Sequence, residues 1–177
     1  MIRWTTWRVM ATVGVTLLSC METAQSHDRV EVRSPQRLDA LIDALVTTPS
    51  PISPAQLHEL GIIAPFSFEK DAGPRIYRSQ PMLTADGYAI DNVEYRVIRG
   101  KDDDIRLLFV TFVDTPCFPL ERLAKRYTLQ PFIYPPSHGA PLIARNHEQH
   151  HSLTVGAQEI IVRSQRDAPH CMLGLRR

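Results

Sequence analysis

The stretch VEYRVIRGKDDDIRLLFVTFV, residues 93–113, decides the fold. Val93, Tyr95 and Val97 alternate with Glu94 and Arg96, the period of a strand with one buried face. Residues 105–113 are apolar at nearly every position, which predicts a central strand covered on both faces. Residues 100–104 form a polar turn between them, so the pair reads as a β-hairpin with Lys101, Asp102, Asp103 and Asp104 at its tip. The aspartates could meet a partner or a metal, but a solvated turn is the simpler reading.

Downstream, residues 119–127 place Leu120, Leu123, Ala124 and Tyr127 on one helical face. Short strands are expected at 132–134, 142–144, 152–155, 159–163 and 171–175, with Gly156 and Ala157 turning one into the next. Upstream, Ser34-Pro35 reads as a helix start, and Leu38, Leu41, Ile42 and Leu45 give that helix an apolar face. Ser53-Pro54-Ala55-Gln56 repeats the signal with Gln at the capping-box position, and Gly61 is the stop. Pro65, Gly73-Pro74 and Pro81 punctuate residues 62–81, which read as loop-rich. The total predicts an α+β domain over residues 34–177: an antiparallel sheet with short helices on one side.

Residues 1–20 read as a bacterial export signal. Arg3 and Arg8 precede the uncharged run at 9–18. Ten residues rise only about 15 Å as a helix, short of a bilayer core of about 30 Å. Leu17-Leu18-Ser19-Cys20 resembles a lipobox, in which Cys20 is lipidated and becomes the new N-terminus. Ala24-Gln25-Ser26 is a competing small-x-small cleavage site. Acyl chains on Cys20 would anchor the protein, each buried CH₂ contributing roughly 0.8 kcal/mol. Met21, where Asp would imply retention at the inner membrane, favours the outer membrane by that resemblance. Residues 21–33 are a polar tether. The expected address is the periplasmic side of the cell envelope, with a soluble periplasmic protein as the alternative.

About 155 residues remain after cleavage, the size of one ordinary domain. Losing residues 1–19 removes two arginines and no acid, so the formal charge passes from +1 to −1. That leaves no basic excess to serve nucleic acid. With Cys20 lipidated, Cys117 and Cys171 form an even pair in an oxidising compartment, and a Cys117–Cys171 disulfide is expected. Its alternative is two separate buried thiols. A nucleophilic Cys117 at a helix start is conceivable, but an exported cysteine with a partner is more often structural.

His147-Glu148-Gln149-His150-His151 matches H-E-x-x-H. On a helix, His147 and His151 would share a face and hold zinc, with Glu148 as general base. The strand-like sequence that follows argues against a helix, and Glu159 and His170 are the only nearby candidates for a third ligand. A polar, His-rich hairpin turn is the reading preferred, with regulatory metal binding by His138, His147, His150, His151 or His170 as a further option. There is no G-x-S-x-G and no Gly-rich phosphate loop.

Residues 114–127, DTPCFPLERLAKRY, run from a strand-ending Asp through a Cys into a short helix ending Arg-Tyr. With a second Cys near the C-terminus, this resembles small proteobacterial envelope lipoproteins, including the type VI secretion amidase immunity group. The resemblance implies a non-enzymatic protein, with no cofactor, that plugs the active site of a cell-wall hydrolase. It transfers no binding residues. The leading expectation is a lipid-anchored protein-binding module, its contacts in the loops at 100–104 and 135–151, with Lys101, Asp102, Asp103, Asp104, His138 and His147 among them. A zinc-dependent hydrolase using His147, Glu148 and His151 is the alternative, and a structural accessory lipoprotein of an envelope machine is a third.

Overall fold

The computed structural model describes residues 31–71, 73–133, 148–167 and 170–177. Its strands form one antiparallel sheet in the order β1-β2-β4-β5-β9-β8-β7-β6, with β3 paired to β4. The strands are β1 (Phe66–Asp71), β2 (Arg75–Ser79), β3 (Met82–Leu83), β4 (Ala89–Ile98), β5 (Lys101–Phe112), β6 (Gln130–Pro131), β7 (Glu148–Val155), β8 (Gln158–Gln165) and β9 (Met172–Arg176). Among the described residues three short helices accompany them: α1 (Leu38–Thr47), α2 (Pro54–Glu59) and α3 (Leu120–Ala124). The α+β class follows, with the β4–β5 hairpin near the middle of the sheet.

The core lies on one face. Val93, Tyr95 and Val97 of β4, Leu108, Val110 and Phe112 of β5, and Ile160 and Val162 of β8 cluster with Leu38, Leu41, Leu45, Leu57 and Leu123 of the helices. Ile76 and Ile161 are also buried but stand outside that cluster, on the opposite face. The same face carries Leu107 and Phe109, which are half-buried. The sequence reading of β5 as covered on both faces therefore needs correction. Helices cover one face, and the apolar residues of the other are flanked by long arginines, whose stems can cover apolar surface while the heads stay wet.

Helix α2 starts as expected. The Gln56 N–H donates to Ser53 Oγ at 3.2 Å, and Gln56 Oε1 accepts the Ser53 N–H at 2.8 Å. Gly61 follows with φ +98°, and a Cβ there would lie 2.6 Å from Gln36 Cγ. Helix α1 differs. Ser34 does not cap it: its N–H donates to the Leu83 carbonyl and its Oγ accepts the Gln36 N–H. Arg33 bridges Leu83 and Val32 packs on the core, so the end of the expected tether already belongs to the fold. The helix begins at Leu38, whose N–H donates to Asp86 Oδ1 at 2.9 Å.

Residues 62–81 hold strands, not loops. Each proline stands before a strand: Pro65 before β1, Pro74 before β2, Pro81 before β3. Proline at a strand boundary costs no ladder hydrogen bond. The hairpin turn is also shorter than the sequence implied. Arg99 and Gly100 alone make it, Gly100 supplying φ +84°. Lys101 pairs with Ile98, and the register then breaks before Ile105 pairs with Val97. Lys101, Asp102, Asp103 and Asp104 thus lie within β5, not on a loop. The strand expected at 132–134 is displaced to β6, which pairs Gln130 with Ser152. The one expected at 142–144 falls outside the described residues.

Strand β9 enters between β5 and β8, pairing Val110 with Leu175 and Val162 with Leu175. The Cys117–Cys171 disulfide is present, its Cα atoms 5.2 Å apart. It ties the start of α3 to the start of β9. Beside it, Leu120 N–H donates to the His170 carbonyl and Met172 N–H to the Phe118 carbonyl, both at 2.9 Å.

Candidate binding surface

The H-E-x-x-H segment lies on a strand as far as it is described. Residues 148–151 open β7, where successive side chains alternate faces. His151 sits opposite Val162 on the core face, and its Nε2 is 3.3 Å from the Oγ of fully buried Ser164. Glu148 and His150 share the outer face, the Glu148 carboxylate lying 3.9 Å from His150 Nε2 and 3.9 Å from Arg163 Nη1. Glu148 and His151 are therefore on opposite sides of the sheet, and the helix that zincin chemistry requires is replaced by a β-ladder with β8. His138 and His147 lie outside the described residues. Among the described residues, no three His, Cys, Asp or Glu side chains gather to hold a metal ion. His170 Nδ1 is 3.3 Å from the Gln165 carbonyl, and Glu159 is exposed on β8.

His151 is a half-buried histidine within hydrogen-bond reach of Ser164 Oγ. Burial pushes its pKa down, and the nearby His170 adds to the effect.

The outer face of the sheet is chemically richer. Glu94 sits near its middle on β4. Arg78 Nη2 donates to Glu94 Oε2 at 2.9 Å, and Arg96 Nε donates to Glu94 Oε1 at 2.8 Å. Burial works to raise the Glu94 carboxyl, but the hydrogen bonds from Arg78 and Arg96 outweigh it and hold the pKa below the usual range. The hydrogen bond with Glu94 in turn raises the pKa of Arg78, which also pairs with Glu69 at 3.1 Å. Arg96 lies over the Phe109 ring, 5.1 Å from its centroid. Phe109 stands in register between Glu94 on β4 and Arg176 on β9.

Farther along, Arg163 reaches across β9 to Thr111, with Nη2 3.4 Å from Oγ1. Gly174 makes that crossing possible. A Cβ there would meet the Val110 carbonyl at 2.3 Å and Arg163 Nη2 at 2.9 Å. The face thus carries Arg78, Arg96, Arg163 and Arg176 around Glu94, Phe109 and the buried Ile161. The contacts expected from sequence lie in loops, and this surface is not among them. Its signal was the parity of β4: Glu94 and Arg96 alternate with core residues, and register sets Phe109 and Leu107 beside them.

Cys117 is spent in the disulfide and is not a nucleophile in this state. A small hollow of about 20 Å³, lined by residues including Ser50, Ile52, Ile105, Leu108 and Arg177, is the size of a water site. No helix among the described residues is long and apolar enough to cross a membrane. Comparison with known proteins finds no matching protein family, no matching curated protein and no matching solved structure.

Proposed function

We propose that this chain is an exported, lipid-anchored protein of the bacterial envelope that acts by binding another protein through the outer face of its sheet. The observation that carries the reading is the Arg78–Glu94–Arg96–Phe109 cluster on a face that lies outside the helix-packed core. Arginines and aromatic rings dominate the energetics of protein interfaces, because a planar guanidinium and a rigid ring offer large contact area and directed donors at small entropic cost. The cluster is built on paired strands rather than loops, and the disulfide ties down the last strand. Little conformational freedom is lost on docking, so more of the contact energy appears as affinity.

The lipid anchor at Cys20 and the periplasmic address rest on the sequence of residues 1–20. The finer reading is an immunity protein whose partner is a cell-wall amidase. It rests on the likeness of residues 114–127, and no cofactor or nucleic acid enters it. The experiment joins both levels. The tagged, lipid-anchored protein and an Arg96→Glu/Phe109→Ser variant are captured from crosslinked envelopes, and the gene is deleted in parallel. The reading expects an envelope protein captured by the parent and lost with the variant, and a deletion strain sensitised to a cell-wall hydrolase. Equal capture by both proteins would remove the outer face from the account. Hydrolysis of peptidoglycan by the purified protein alone would remove the binding function.

A further inference from the structure

We draw no further inference here: the strongest candidate, the aromatic edge of the sheet where Phe66, Phe68, Tyr77 and Tyr95 meet between β1, β2 and β4, carries none because nothing in the structure shows what covers it.

Discussion

Asp86 caps helix α1 from a turn 48 residues further along the chain, its Oδ1 accepting the Leu38 N–H at 2.9 Å. The same oxygen accepts the Thr84 hydroxyl at 2.7 Å, and Thr84 in turn accepts the Tyr88 N–H at 3.0 Å. A tertiary contact therefore satisfies one of the donors that a helix start leaves open. Loss of such a cap typically costs about 1 kcal/mol. Asp86→Ala should lower stability by about that amount, and Asp86→Asn by less, read by urea denaturation of the mature domain. An unchanged midpoint for Asp86→Ala would show that the cap contributes nothing.

Acid should expose the same residue. Burial acts to raise the Asp86 carboxyl, but hydrogen bonds from Leu38 and Thr84 prevail and lower its folded pKa. Its contribution is present above the unfolded value of about 3.9 and fades as pH falls through the folded one. The Asp86→Asn variant should therefore lose less stability than the parent between pH 5 and pH 3, both values being roughly set by that reference pKa.

His151 acts in the same sense at higher pH. Burial, with His170 second, lowers its folded pKa, so the unfolded chain takes up the proton first as pH falls below about 6.5. Above that pH the residue adds no pH dependence. Below it, stability declines until the folded pKa is reached. Melting temperatures across this window should fall on acidification, and His151→Gln should flatten the slope. A slope that the variant leaves intact would assign the effect to other groups.

The disulfide closes a loop with a sequence separation of 54. The chain-entropy treatment gives such a crosslink about 4 kcal/mol as an upper figure. Reduction should lower the melting temperature. It should leave the far-ultraviolet circular dichroism unchanged at low temperature, because the hydrogen bonds from Leu120 to His170 and from Met172 to Phe118 still hold α3 against β9. Loss of the sheet signal on reduction at room temperature would mean that the crosslink is required for the fold.

Lipidation has its own test. Cys20→Ser should abolish acyl labelling and release the protein from the membrane fraction. The motivation is the spacing of Leu17-Leu18-Ser19-Cys20 behind an apolar run. Membrane partitioning and labelling unchanged by the substitution would rule out the anchor.

What could be read from sequence was whatever a local pattern encodes. The alternation at Val93, Tyr95 and Val97 declared β4, the Ser53–Gln56 box declared α2, and parity of cysteines declared the disulfide. The cap of α1 was illegible because Asp86 is distant in sequence, while Ser34 imitates a local cap and serves a bridge to β3 instead. Strand β5 was overread. Its apolar residues at Leu107 and Phe109 suggest a strand covered on both faces, whereas register sets them half-buried beside arginines. The outer face itself needed register. Arg78, Glu94 and Phe109 come from three strands and meet only once β2, β4 and β5 are aligned.

The central claim is that a protein partner docks on this outer face, and photo-crosslinking in living cells tests it most directly. A photoreactive amino acid replaces Phe109 on the outer face, or, as control, exposed Glu59 at the end of α2 on the helical side. After illumination the account predicts a discrete protein adduct from position 109 and none from position 59, with the 109 adduct reduced by a second substitution, Arg96→Glu. Adducts from position 59 alone, or none from 109 while the protein remains folded and exported, would contradict it.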